Sequence, residues 1–476
     1  MKREKMLVKN TIILTIGKIC TQLITFLLLP LYTGILSTEE YGIVDLLNTL
    51  ISLLLPVITF QIEQALFRNL IEVREDEAKK KRIISTGVYS VIIQSIIYII
   101  LFVIIYPLID NQYKIFLITN VIACIFASLF QQIARGLGEN KKFAIGSFLS
   151  ASTTIASNVL LLVIIKLKVE GMLIGNMIGQ IICIIYLFVS LKLYRYIKIK
   201  TFKFEILKKM WKYSIPLIPN AISWWVFSAS DRVIVSSILG VGQNGILSAA
   251  HKFSSVYITI YNIFYMSWNE FISIHIHDKD IEEFFNKMFN TILNIFISIG
   301  VGIIACMPFV YTIMVNKSYY DGYYQVPIMI LGSMFNIIIG LLSVVYVAKK
   351  NTKAIANTSI ASAVINIIVH MALIKYIGLF AATISTLVAY LTMTIYRMKD
   401  VNKRYFKIII DKSMIIKTIL IIIILLPIYY MKNIILCFIA LILTIVYAYN
   451  LNKNSIKLLL MYLKNKLKLN KLKGAN

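Results

Sequence analysis

Few residues in this sequence have types and spacing that could do chemistry. The stretch from Ser214 to Gly240, SIPLIPNAISWWVFSASDRVIVSSILG, is apolar and long enough to cross a bilayer. It starts with Pro216 and Pro219 and carries an adjacent Asp231–Arg232 pair, with no other charge after Lys212. A charge in hydrocarbon costs roughly 2.5–3.5 kcal/mol even on mild insertion scales, so it persists only beside a cavity or a partner. Adjacent helical positions diverge by about 100°, so Asp231 and Arg232 are poor partners for one another, and Arg232 is expected to meet a ligand or another helix. Arginine stays charged when partly desolvated and offers a planar fork of donors. The chemistry open to such a side chain is binding, either of a ligand or of a carboxylate elsewhere in the bundle.

Other apolar stretches carry polar residues at helical spacing. Thr11, Thr15, Lys18, Gln22 and Thr25 share one face; so do Asp45, Asn48, Ser52, Thr59 and Glu63. Asn120, Cys124, Ser128, Gln131 and Arg135 form a third stripe; Asn220, Trp224, Ser228 and Asp231 a fourth; Lys252, Ser255, Thr259, Asn262, Met266 and Asn269 the most regular one. A single Ser or Thr is explained as well by hydrogen bonding between helices. Stripes containing Lys18, Glu63, Asp231 or Lys252 are expected to face a wet cavity. The candidate binding residues are Lys18, Gln22, Asn48, Arg135, Asn220, Trp224, Arg232, Lys252 and Asn262. Glu63, Asp231 and Glu270 are candidates for H+ or Na+ coupling, and no other cofactor is expected. Tyr257, Tyr261 and Tyr265 lie on the face opposite Lys252 and are expected to pack. His251 and His370 read as structural. The five cysteines show no paired spacing, which gives no disulfide framework and no metal motif.

The elements that position these residues are membrane spans. The 476 residues are 59% hydrophobic with mean hydropathy +0.80, beyond the range of soluble domains. The expected fold is an all-α polytopic membrane protein of about fourteen spans. Of 49 Lys and Arg, 39 fall in alternate loops and termini, six in the opposite loops and four within spans. That is the positive-inside pattern, with both termini cytoplasmic. It turns a net charge of +27 from a nucleic-acid signal into a topological one, with anionic lipid as its partner. No loop is long enough for a soluble domain, and no Walker A motif is present. Phe202–Lys212 reads as a basic amphipathic helix or a plain linker.

An internal repeat is visible. ILSTEEYGI at Ile35–Ile43 matches ILGVGQNGI at Ile238–Ile246; NKKFAI at Asn140 faces NTKAI at Asn351; Asn158 and Gly171 face Asn366 and Gly378. The offsets, 203, 211, 208 and 207, agree within a few residues. They imply a parallel duplication of a six-span unit. The expected organisation is an N-terminal bundle over residues 1–200, a C-terminal bundle over 201–400, two extra spans over 401–452 and a basic cytoplasmic tail over 453–476.

Several segments resemble one family. LLLPLYTGILSTEEYGIVDLL (Leu27–Leu47), ARGLGENKKFA (Ala134–Ala144), YSIPLIPNAISWW…SDRVIVSSILG (Tyr213–Gly240) and VVYVAKKNTKAIA (Val344–Ala356) are similar to Wzx-type polysaccharide flippases of the multidrug/oligosaccharidyl-lipid/polysaccharide exporter superfamily. The resemblance implies two pseudo-symmetric six-helix bundles in a V, as in multidrug transporters of that superfamily, around a cationic cavity with alternating access. It also implies a non-enzymatic role: moving an isoprenoid-diphosphate-linked oligosaccharide between leaflets of a bacterial-type cell membrane. Polysaccharide polymerase and assembly proteins are candidate partners, and nucleic acid is not. A cation-coupled drug exporter is the alternative. A membrane glycosyltransferase or polymerase is more distant, because the longest outer loop, Asn316–Gln325, is too small for such a site. Under the repeat Lys18 sits near the inner end of the first span and Arg232 about 12 Å inside the outer end of the seventh, as two rungs of a basic ladder.

Overall fold

The computed structural model describes residues 26–108, 112–349 and 351–473. Among them the regular structure is helical throughout. Ten helices are long and apolar enough to cross a membrane by length and composition. The helices are α1 (Leu29–Ile35), α2 (Thr38–Thr59), α3 (Ile62–Glu72), α4 (Glu77–Ile105), α5 (Lys114–Gly136), α6 (Asn140–Val159), α7 (Lys168–Ser190), α8 (Phe204–Ser214), α9 (Ile218–Ile238) and α10 (Val241–His275). They continue with α11 (Ile281–Met314), α12 (Val326–Ala348), α13 (Thr352–Ile377), α14 (Phe380–Arg404), α15 (Lys412–Met431) and α16 (Ile434–Lys473). α9, α10 and α14 are not among the ten.

Local chemistry sets the boundaries. Ser37 and Glu40 form a reciprocal capping box at the start of α2, with Ser37 Oγ accepting from Glu40 N and Glu40 Oε2 accepting from Ser37 N. Asp76, Asn351 and Asp411 cap α4, α13 and α15 in the same sense. α2 ends where Phe60 and Gln61 both adopt left-handed φ, at 51° and 54°. That break corrects one expectation: Glu63 lies on α3 and does not share a continuous helical face with Asp45. Pro216 and Pro219 shape the turn between α8 and α9, which is a short 3-10 segment at Ile215–Leu217. Phe202–Lys212 is helical in its greater part, as α8, and buries Leu207 and Met210.

The described chain divides between Ala249 and Ala250 into two compact units. In lipid, apolar burial does not drive helix against helix, so small residues and hydrogen bonds must do so. In the first unit, Gly175 and Gly179 on α7 leave room for Asn158 and Thr154 of α6. In the second, α13 meets a run of small residues on α14: Ser362 Oγ donates to Ala389 O at 2.9 Å and Asn366 Nδ2 to Thr386 Oγ1 at 3.0 Å. Asn158 and Asn366, which correspond under the repeat, thus each face a small-residue stripe on the next helix. Core residues Ile62, Leu66, Ile84, Val88 and Ile133 join α3, α4 and α5. In the second unit Tyr257 and Tyr261 of α10 are buried, and Tyr257 OH donates to Phe296 O of α11 at 2.7 Å. The two extra spans are tied in by reciprocal bonds: Tyr429 OH donates to Tyr323 O at 2.7 Å and Tyr323 OH to Tyr429 O at 3.0 Å. Midway along α16, Asn452 Nδ2 donates to Ser298 Oγ at 2.8 Å.

Candidate functional site

The polar residues of α2 and α9 meet in a seam within the first unit. Arg232 Nε lies 3.3 Å from Asp45 Oδ2, and Nη1 lies 3.5 Å from Thr49 Oγ1. The Arg232 side chain is 26% exposed and that of Asp45 15%. Trp225 Nε1 donates to Thr49 O at 2.9 Å and to Ser52 Oγ at 3.0 Å. The first turns of α10 close the seam: Asn244 Nδ2 donates to Gly42 O at 3.2 Å and to Asp45 Oδ2 at 3.4 Å. This approach needs two glycines. A methyl group at Gly42 would collide with Val241 O, and one at Gly245 with Thr38 O.

Arg232 therefore meets another helix, and its charge is offset by Asp45. Both contacts lie at the long end of their range, and the guanidinium keeps a solvent-accessible edge. Asn48, Ser52 and Asn220 are exposed on the same two helices. The seam can hold an anion that presents two oxygens to Arg232, with Asp45 as the resident competitor.

The remaining expected site residues are dispersed. Lys18 and Gln22 lie outside the described residues. Trp224 falls on α9, where its side chain is not described. Arg135 sits at the end of α5 with its guanidinium over Phe67, 4.8 Å from the ring centroid, and Nη1 donating to Gln132 Oε1. In the second unit Lys252 is half-buried and Asn262 exposed, on the face of α10 opposite Tyr257 and Tyr261. Glu270 is exposed, Asp231 half-buried and Glu63 buried.

The family model for polysaccharide biosynthesis proteins matches residues 7–269, more than half of the chain. The chain belongs to the polysaccharide biosynthesis protein family. In fold it is similar to the lipid II flippase MurJ in an inward closed conformation, with TM-score 0.68 and 17% identity over 94% of this chain and 100% of that one. It is similar too to a multidrug resistance MATE family transporter of the MOP superfamily in an inward-facing conformation, with TM-score 0.68 and 11% identity over 80% and 95%. An outward-facing member of that transporter family gives TM-score 0.55 at 12% identity, over 83% and 95%. No curated protein matches the sequence. The chain is thus a member of the polysaccharide biosynthesis protein family, with ten helices long and apolar enough to cross a membrane and a fold similar to that of these flippases and transporters.

Three features of the family member were not singled out from sequence. Asp45 was placed in a polar stripe but not as the partner of Arg232. Trp225 supplies an indole bond to α2. Arg397 is 1% exposed within the second unit. Its position at the end of a Thr- and Ser-rich helix was the available signal.

Proposed function

We propose that this protein moves an isoprenoid-diphosphate-linked oligosaccharide from the inner to the outer leaflet of a bacterial-type cell membrane, for assembly of a surface polysaccharide. Membership of the polysaccharide biosynthesis family carries the reading. The seam adds a physical reason: a diphosphate seeks a cation that remains charged away from water, and Arg232 is such a cation with an accessible edge. The incoming diphosphate displaces Asp45 from Arg232, so one carboxylate contact is exchanged for a stronger phosphate one. Both termini face the cytoplasm in this reading, as the loop charges favour.

The test is export in a flippase-null strain carrying Arg232→Ala or Lys18→Ala, with membrane levels measured alongside. Loss of export at normal protein levels is expected of each. Full complementation by both variants would overturn the cationic route. A binding assay then sets an undecaprenyl-diphosphate sugar against organic cations. Tight binding of the organic cations alone would favour a drug exporter.

A further inference from the structure

Glu63 stands apart from the seam. Among the described residues it is the one acidic side chain that is buried, at 5% exposure. Its Oε2 has no hydrogen-bond partner. The Thr59 hydroxyl stands beside the carboxyl but directs its proton to Leu55 O at 2.9 Å. No Lys or Arg among the described residues acts on the carboxyl. A carboxylate withdrawn from water with no positive partner is strongly unfavourable, so the site must take up either a proton or a cation.

The packing register shows what else is there. Leu66 of α3 lies against Gly87 of α4, and Gln94 Nε2 of α4 donates to Thr59 O at 3.2 Å. One turn in from the Leu66–Gly87 contact are Glu63 and Ser90, which stand level on the two antiparallel helices. Gln94 is one further turn along α4. Ser90 Oγ and Gln94 Oε1 are also buried without a hydrogen-bond partner. The Gln94 amide nitrogen is taken by Thr59, which leaves its carbonyl oxygen as an acceptor. Ile62, Leu66, Val91 and Met210, which belong to one core cluster of α3, α4 and α8, are themselves buried.

We propose that Glu63, Ser90 and Gln94 form a site for one monovalent alkali cation, seated where α2 breaks into α3. The donors are a carboxylate, a hydroxyl and an amide carbonyl, all hard oxygens suited to such an ion. One carboxylate balances one positive charge; Ca2+ and Mg2+ need fuller oxygen shells and more charge. Among the described residues no group of three His, Cys, Asp or Glu exists to hold another metal. The bound cation ties α3 to α4 next to the left-handed pair Phe60–Gln61, and so stiffens that break. The site does not depend on what the protein carries, and ion binding alone reads it.

The experiment follows thermal unfolding of the full chain in detergent as NaCl replaces choline chloride at constant ionic strength, with LiCl and KCl in parallel. A cation that binds only the folded state raises the unfolding temperature saturably. That rise is expected in the unmodified chain and in Glu270→Gln, and its loss in Glu63→Gln. Ser90→Ala is expected to raise the half-saturating concentration about tenfold, which keeps the test alive if Glu63→Gln does not fold. Absence of a rise with any of the three cations overturns the proposal. So does a rise that survives Glu63→Gln. A response to pH with none to the cations assigns a proton to Glu63 instead.

Discussion

Gly245→Ala tests whether the first turns of α2 and α10 are held together as closely as the backbone indicates. A methyl group at position 245 would sit 2.9 Å from the carbonyl carbon of Thr38 and 3.0 Å from Gly42 N. Both are backbone atoms, so no side chain can swing aside. Ordinary carbon contacts are about 3.5–4.0 Å, and Thr38 O is nearer still, so the two helices must part by about 1 Å or more there. Asn244 Nδ2 and Gly42 O, now 3.2 Å apart, would then stand near 4 Å, outside hydrogen-bond range. The Arg232–Asp45 contact starts at 3.3 Å and lengthens with them. Overpacking costs about 1–3 kcal/mol, and the lost hydrogen bond adds about 1 kcal/mol. A cysteine pair at Thr38 and Gly242 reads the separation directly: a methyl at Gly242 would lie 3.4 Å from Thr38 Oγ1. In a chain whose native cysteines are replaced, Thr38→Cys with Gly242→Cys should oxidise readily, and addition of Gly245→Ala should slow that oxidation and lower the unfolding temperature. Unchanged cross-linking and unchanged stability together would refute the reasoning.

Two further outcomes are expected. Tyr429→Phe removes a donor from the buried Tyr323 carbonyl and should cost about 1–3 kcal/mol. Tyr430→Phe at the exposed neighbouring bond to Tyr324 O should cost less, and the two melting temperatures check the difference. Arg232→Ala removes a charge-assisted contact of about 1.5–3 kcal/mol. It should weaken binding of an undecaprenyl-diphosphate sugar by roughly tenfold to a hundredfold, with Arg232→Lys falling between it and the unmodified chain.

Periodicity and loop charge made the helical membrane architecture legible, because hydrocarbon leaves a chain no other way to satisfy its backbone. The turn at Gly378, where φ is +53°, and the turn at Lys432, where φ is 54°, fall where short polar breaks interrupt apolar runs. The break at Phe60–Gln61 was not legible. Its residues are not turn formers, and apolar spacing continues past it into α3. The role of Arg232 was half legible: its position demanded a partner, but several stripes offered acidic residues, and one sequence without its fold does not rank Asp45 above the others. The choice falls to Asp45 because Gly42 and Gly245 bring α2 against α10, and small residues announce contact without naming the neighbour.

Arg397 shows where a buried charge is structural. Its guanidinium donates to Thr358 Oγ1 from Nε at 3.1 Å and from Nη2 at 2.9 Å, to Ser359 Oγ at 3.4 Å, and to Ser343 Oγ and Ile339 O of α12. One side chain thus rivets α14 to both α12 and α13, through neutral oxygens alone. At 1% exposure no ligand reaches it without parting three helices, whereas Arg232 has an open edge and long contacts. The two roles predict opposite rankings. A ligand-binding arginine is replaced best by lysine, which keeps the charge. A rivet is not, because lysine retains the desolvation burden and loses the fork. Met, of similar length and uncharged, removes the burden; Thr358 and Ser343 still have helix carbonyls to bond, at Ala354 and Ile339. Arg397→Ala should cost about 2–5 kcal/mol through lost packing and hydrogen bonds. Arg397→Met should cost less than Arg397→Lys, measured as unfolding temperatures in one detergent. If Arg397→Lys instead matches the unmodified chain while Arg397→Met fails, the charge itself is what the second unit requires, and Arg397 belongs with Arg232.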